Sequence, residues 1–209
     1  MGQIECPGRT MAFTEFGWNF AGSTSGSFEN ATSAAAGKMA LNTLLDNFYV
    51  GGAGSFIFSL FDETGENFRL FDFAGNPDPI ATVQRNFCTI VGDGVPSSNP
   101  TALTFNPNVI DYSVGVVPNG RYLKTQGTDG KDRLILWNEP EVQDGNYPPN
   151  DISPSASVVT VTCNQAISSA FRYDPTVGTA SQQTIGSKTA GQTFTVSLTG
   201  YPQIIIISP

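Results

Sequence analysis

The spacing of apolar residues changes at one place in this sequence, and that change limits the fold more than any other feature. Before residues 93–100, short apolar runs alternate with segments of helical spacing, whereas only short strand-like runs follow them. The segment 93–100 is rich in Gly, Pro, Ser and Asn, as loops are. The pattern predicts an α/β part at residues 1–95 and an antiparallel β-sandwich at residues 100–209.

The α/β part is predicted to consist of two consecutive strand–helix units. Residues 10–16 and 55–61 are apolar at successive positions, which is typical of strands buried on both faces of a parallel sheet. Residues 34–48 and 78–91 carry apolar side chains at helical spacing. The order strand, helix, strand, helix is that of a parallel α/β fold.

The sandwich part is predicted from turn residues that recur every 8–15 positions. The segments 120–126 and 133–138 flank the turn 127–130 and therefore predict a hairpin. Loop residues are dense at 145–154, which predicts a long connection. The other predicted strands are 111–117, 158–163, 170–174, 192–198 and 203–207.

A single carboxylate marks the first apolar run. Glu15 is the only charged residue between Arg9 and Glu29, and it lies beside Phe16 and Trp18. An ionised carboxylate among aromatic rings is costly unless it is paired, hydrated or used in chemistry. Glu15 is therefore either a functional group or a strand-terminal glutamate that points into water.

Two groups of motifs in the α/β part resemble one enzyme family. Residues 14–18, Thr-Glu-Phe-Gly-Trp, resemble the nucleophile motif TE-x-GW of retaining glycoside hydrolases with a (β/α)8 barrel, the clan of cellulase-like and arabinofuranosidase-like enzymes. Residues 58–72 and 75–81 resemble strand eight of these enzymes, its loop and the start of the last helix, although Asp78 replaces the usual lysine. The resemblance implies that residues 1–95 are strands seven and eight of a barrel with their helices.

The sandwich part resembles the C-terminal β-domain that often follows such a barrel. The resemblance is carried by residues 122–139 and 171–179, which match recurring L-W-N and Y-D-P strands. In this family that domain packs against the barrel and carries no catalytic residue. Trp137 is accordingly predicted to be a core residue and Glu139 a surface residue.

The resemblance also implies a set of site residues. Glu15 would be the catalytic nucleophile at the C-terminal end of its strand, where barrels of this kind gather their functional groups. Trp18, Phe61, Asp62 and Glu63 would bind the substrate. For Trp18 the alternatives are stacking on a sugar ring and capping the core. For Asp62 and Glu63 they are hydrogen bonds to sugar hydroxyls and a solvated acidic loop.

A second carboxylate is needed for retaining hydrolysis, about 5 Å from the nucleophile. The resemblance places it on strand four after an asparagine, and the residues before position 10 contain no such pair. Asn138-Glu139 has the right letters but lies in the predicted sandwich. We expect a C-terminal glycosidase fragment that is inactive or very weak alone. The alternatives are a carbohydrate-binding or accessory module, and a non-catalytic structural protein that retains a glycosidase-derived segment.

Cysteine and histidine usage excludes several other chemistries. The chain has no histidine, which excludes a Ser-His-Asp triad, a Cys-His pair and HExxH zinc chemistry. Cys6, Cys88 and Cys163 lack metal-like spacing, and Cys88 is predicted to be a small core residue of the second helix. No phosphate-binding loop is present. The sequence therefore predicts neither a metal nor a cofactor.

Charge and composition limit the possible partners. Eighteen acidic residues against ten basic ones give a net charge of −8, which argues against nucleic acid and anionic membranes as partners. The low charged fraction of 13% is typical of a β-rich extracellular or periplasmic protein, although the N-terminus does not resemble a signal peptide. The expected partners are a carbohydrate substrate and either a second copy or a complementing N-terminal barrel chain.

Overall fold

The computed structural model describes residues 11–20, 30–61, 68–92, 110–146 and 149–209. In these ranges the chain forms two helices and twelve strands. The helices are α1 (Ser33–Tyr49) and α2 (Pro79–Val91). The strands are β1 (Met11–Phe16), β2 (Asn19–Phe20), β3 (Asn30–Ala31), β4 (Gly52–Ile57), β5 (Tyr112–Val114), β6 (Gly120–Gln126), β7 (Asp132–Asn138), β8 (Ser157–Cys163), β9 (Ser169–Tyr173), β10 (Ser181–Thr184), β11 (Thr193–Leu198) and β12 (Gln203–Ser208).

The first strand–helix–strand unit has the predicted form. Strands β1 and β4 are parallel neighbours, with Phe16 opposite Ile57, and α1 lies between them in sequence. This confirms the prediction of two adjacent parallel strands. The predicted bounds 55–61 of the second strand are wrong, because β4 already begins at Gly52. Only Gly51, at φ +90°, is needed in the left-handed position after the helix, so Gly52 is free to pair.

Both helices begin with recognisable signals. The Thr32 hydroxyl accepts a hydrogen bond from the Ala35 amide at 3.0 Å and so caps α1. Helix α2 starts with Pro79 in its first turn. The start of α2 lies against α1, since a Cβ on Gly37 would be in van der Waals contact with Pro79 at 3.4 Å. None of the described helices is long and apolar enough to cross a membrane.

The second half of the chain forms two antiparallel sheets with a common core. Within the described residues, the large sheet has the order β10-β9-β12-β7-β6 and the small sheet has the order β11-β8-β5. Side chains from both sheets meet in one buried cluster, which includes Leu136, Val161, Val196 and Ile205. Strand β10 has no counterpart among the predicted strands, since its sequence, Ser-Gln-Gln-Thr, is polar and fully exposed. The arrangement agrees with the predicted antiparallel sandwich.

Strand β7, which lies between β12 and β6 in the large sheet, is buried on both faces. Its side chains alternate, so Leu134 and Leu136 join the core between the two sheets. Ile135 and Trp137 point the other way and pack in a second cluster with residues such as Leu41 of α1. The large sheet is thus covered by the small sheet on one face and by the helices on the other.

Buried amides fasten the helices to the large sheet. The Asn42 side chain of α1 donates to the Asn138 carbonyl at 3.0 Å, and the Asn138 side chain accepts from the Gly200 amide at 3.0 Å. Asn86 of α2 donates to the Pro175 carbonyl at 2.9 Å. The predicted boundary between residues 95 and 100 lies outside the described residues, so the division into two domains stays a prediction.

We expect Asn42→Ala to lower the free energy of unfolding by about 1–3 kcal/mol, because it removes a buried donor from the Asn138 carbonyl. Urea denaturation followed by tryptophan fluorescence measures the loss. Gln182→Ala is the matched control, since Gln182 is exposed and bonds only to a neighbouring carbonyl. Equal stability of both variants would contradict the role given to Asn42.

Candidate functional site

Glu15 lies next to the last residue of β1, near the C-terminal end of the parallel pair. The chain continues this pairing beyond β4, because the Phe58 amide donates to the Phe16 carbonyl at 2.9 Å. The ends of the two parallel strands therefore meet at one edge. For Glu15 the structure describes the backbone position and not the side chain. That position is the one predicted for a catalytic carboxylate.

Steric constraints explain why the residue at position 17 is a glycine. A Cβ on Gly17 would lie 2.4 Å from the Phe58 carbonyl oxygen and 3.2 Å from the Phe68 ring. Real side chains do not tolerate the first of these distances, and the obstructing atom belongs to the backbone. Gly17 is therefore required where the chain leaves β1 and passes the segment after β4.

Trp18 packs beside the parallel pair. Its ring is half-buried and meets the Phe16 ring edge-on, with centroids 5.9 Å apart. Both rings pack against a buried cluster that includes Ala36 and Ile80. These contacts account for Trp18 as a core-capping residue, and its stacking on a sugar stays a prediction.

Phe61 presents an aromatic surface close to the same edge. Its side chain is 48% exposed. The centroid of its ring lies 6.4 Å from that of the Phe71 ring, and the two ring planes make an angle of 49°. The contact of Phe61 with a sugar stays a prediction.

The loop after Phe61 is closed at its base by backbone hydrogen bonds. The Ser59 amide donates to the Phe68 carbonyl, and the Leu70 amide donates to the Ser59 carbonyl, both at 2.9 Å. The predicted ligands Asp62 and Glu63 belong to this loop and lie outside the described residues. The described flanks fix where the loop leaves and rejoins the fold.

Asp78 forms an ion pair at the start of α2. Asp78 precedes α2, and its carboxylate forms a 2.8 Å ion pair with Arg69 Nε. Both side chains are largely buried, with 17% and 25% exposure. Arg69 thus places a positive charge beside the start of this helix.

A polar cluster that the sequence did not reveal joins α1 to the large sheet. Asp46 of α1 accepts hydrogen bonds from Trp137 Nε1 at 3.0 Å and from Arg121 Nε at 3.3 Å. Arg121 also lies over the Tyr49 ring, 5.0 Å from its centroid. Glu139 follows directly after β7, and its carboxyl lies close enough to that of Asp46 for the two groups to interact. Arg121 and Glu139 line a polar cavity of about 290 Å³.

The two carboxyl groups alter the acidity of Glu139. The hydrogen bond with Asp46, together with desolvation and the charge of Asp46, raises the pKa of Glu139 to about 7. Arg121 opposes this effect with its positive charge. Asp46 and Glu139 are far apart in sequence and share no motif, so only the packing of α1 on β7 could bring them together.

Comparison with models of known protein families gives no match for this chain, and comparison with curated protein sequences gives none either. Within the described ranges, no three Cys, Asp or Glu side chains converge in a way that would hold a metal ion.

We expect the stability of the protein to fall as the pH rises from about 4.5 to 8. The folded state keeps a proton on Glu139 that the unfolded state releases near its ordinary pKa of 4.5, so stability is lost up to the folded pKa of about 7. The effect is about 1 kcal/mol after allowance for solvent screening. Urea titrations of the wild type and of Glu139→Gln measure it as a difference.

The chain has no histidine, so a change in stability near neutral pH can be assigned to Glu139 with few competing groups. Glu141→Gln is the matched control, since Glu141 is an exposed neighbour. The pH dependence should be smaller in Glu139→Gln and unchanged in the control. The same pH dependence in all three proteins would disprove the assignment.

Proposed function

We propose that this chain is the C-terminal part of a retaining (β/α)8 glycoside hydrolase, with Glu15 as its nucleophile. The observation that carries the proposal is the position of Glu15 near the end of β1, which has the parallel strand β4 as its neighbour. In barrels of this kind catalytic residues lie at the C-terminal ends of parallel strands. The motif resemblance and this placement agree.

The proposed chemistry is a two-step displacement. The Glu15 carboxylate attacks the anomeric carbon, the bond to the leaving oxygen breaks, and a covalent glycosyl-enzyme forms. A second carboxyl protonates the leaving oxygen and then activates the water that releases the sugar. The resemblance places that acid/base residue on another part of the barrel. The sandwich would then be the accessory β-domain, without catalytic residues.

We expect the isolated chain to hydrolyse ordinary glycosides little or not at all. Loss of a positioned general acid costs about 10²–10⁴-fold, and loss of substrate positioning adds to this. Dinitrophenyl glycosides need little acid assistance, so a panel of β-glycosides and arabinofuranosides is the fair assay. Release of dinitrophenolate should be slow in the wild type and should disappear in Glu15→Gln.

Glu141→Gln is again the matched control and should retain the wild-type rate. Turnover that persists unchanged in Glu15→Gln would show that Glu15 is not the nucleophile. Labelling by a 2-deoxy-2-fluoro glycoside with the same leaving group provides a second measurement, since it traps the glycosyl-enzyme. Peptide mass mapping should place the added sugar on Glu15.

Exposed apolar side chains on the α/β part also favour the proposal of a partner chain. Within the described residues, β1 and β4 pair only with each other, although parallel sheets are usually covered on both faces. Phe56 of β4 is 60% exposed, Leu60 is 56% exposed and Phe48 of α1 is 61% exposed. A complementing barrel chain or a second copy would cover these side chains and the strand edges.

We expect the chain to associate at micromolar concentration through this face and not through the sandwich. Phe56→Ser should weaken association, because it removes an exposed apolar ring from the strand surface. Val158→Ser is the matched control, since Val158 is 57% exposed on the small sheet. Light scattering measures the mass, and a monomeric wild-type chain would refute the expectation.

A further inference from the structure

The polar cavity at the start of β6 and the end of β7 lies beside the last turn of α1. Asn119, Arg121 and Glu139 supply the polar side chains of its wall, and all three are exposed, so a ligand can reach them from solvent. Its volume of about 290 Å³ is at the lower end of the range for small-ligand sites, about 300–1,000 Å³. The cavity therefore suits a small ligand rather than an extended chain.

The wall of this cavity offers both hydrogen-bond donors and acceptors. Arg121 bonds to Asp46 through Nε at 3.3 Å, and its two terminal nitrogens make no bond within the described part of the chain. The side-chain amide of Asn119 makes none there either, since only its backbone carbonyl is used, by the Glu139 amide at 2.9 Å. The Glu139 carboxyl adds acceptor oxygens. A hydroxyl group can bond to each of these groups, because it both donates and accepts.

The charges around the cavity favour a neutral ligand. Asp46 and Arg121 are the charged groups that act on Glu139. Interaction with the Asp46 carboxyl, together with desolvation, raises the pKa of Glu139 to about 7, so Glu139 is largely protonated below that pH. The charges of Asp46 and Arg121 then balance. An anionic ligand would meet two carboxyl groups and a cationic one the guanidinium, whereas an uncharged ligand meets neither penalty.

An aromatic ring adjoins these polar groups. Tyr49 ends α1, and its side chain is 48% exposed. Arg121 lies over the ring, 5.0 Å from its centroid, and the Trp137 ring meets it edge-on with centroids 6.2 Å apart. These two contacts hold the Tyr49 ring in place, while the rest of it stays open to solvent. An open aromatic face packs well on the apolar C–H surface of a sugar ring.

We propose that this cavity binds a neutral polyhydroxylated ring, a pyranose. The C–H face of the sugar packs on Tyr49, its hydroxyl oxygens accept hydrogen bonds from Arg121 and Asn119, and its hydroxyl groups donate to Glu139. A small polar cavity with mixed donors and acceptors, balanced charge and one open aromatic ring matches each property of such a ligand. The proposal does not depend on Glu15 or on the glycosidase assignment.

The direct test is a two-dimensional NMR titration of the full chain at about pH 6, where Glu139 keeps its proton. The neutral probes are the methyl glycosides of glucose, galactose and xylose, and the charged probes are glucuronate and glucosamine. At least one neutral sugar should bind saturably, with a Kd of about 1–10 mM. Both charged sugars should bind at least about fivefold more weakly than the best neutral one. No saturable binding of any neutral sugar, or tighter binding of a charged one, would overturn the proposal.

Two variants then locate the sugar. Asn119→Gly removes the side-chain amide and leaves the turn intact, because Asn119 has a φ of +50° that glycine adopts readily. Tyr49→Ser removes the aromatic face. Each should lower the affinity for the best neutral sugar several-fold. Tyr122→Ser is the matched control, since Tyr122 is an exposed tyrosine of the same hairpin whose side chain points to the other face of β6. Unchanged affinity in Asn119→Gly or in Tyr49→Ser, with the fold verified by circular dichroism, would overturn the proposal.

Glu15→Gln separates this cavity from the proposed nucleophile. The variant should bind the neutral sugar with the wild-type affinity, whatever its effect on hydrolysis. Loss of binding in Glu15→Gln would place the sugar at the edge where β1 and β4 end and would overturn the proposal for the cavity. Failure of the hydrolysis assay, with sugar binding retained, would count against the nucleophile alone.

Discussion

Burial of β7 on both faces is the constraint on which the rest of the structure depends. Leu134 and Leu136 complete the core of the two sheets, while Ile135 and Trp137 serve as the floor for the helices. Trp137 makes both apolar and polar contacts with α1, because its ring is fully buried and its Nε1 donates a hydrogen bond to Asp46. The polar cluster at Asp46 exists because α1 rests on this strand.

Much of the local structure followed from sequence patterns. The spacing of Leu41, Leu44, Leu45 and Phe48 predicted one apolar face of α1, and Leu41 and Leu45 are buried there whereas Phe48 is 61% exposed. The turn 127–130 predicted the hairpin of β6 and β7. Motif order predicted that β1 and β4 are parallel neighbours. These features depend on residues that lie close together in sequence or within one short strand–helix–strand unit. Within such segments the spacing of apolar residues predicts the secondary structure.

Burial that depends on distant layers could not be predicted in this way. The successive apolar residues at 55–61 suggested a strand covered on both faces, yet Phe56 and Leu60 are more than half exposed. Among the described strands, β7 and β12 of the large sheet have both faces covered. Cys88 was expected in the core and is exposed, because it lines an open cavity between α1, α2 and the hairpin of β6 and β7. The pairing of Asp46 with Glu139 arises from the same long-range packing.

The place of β12 in the large sheet has a consequence for synthesis of the chain. This strand lies between β9 and β7, yet it is the last described strand to leave the ribosome. Until then the large sheet cannot be completed, and Ile204, which packs on the floor beneath the helices, is missing. The floor beneath α1 and α2 is therefore complete only after more than a hundred further residues have been translated, and until then part of their apolar surface stays open to association with other chains.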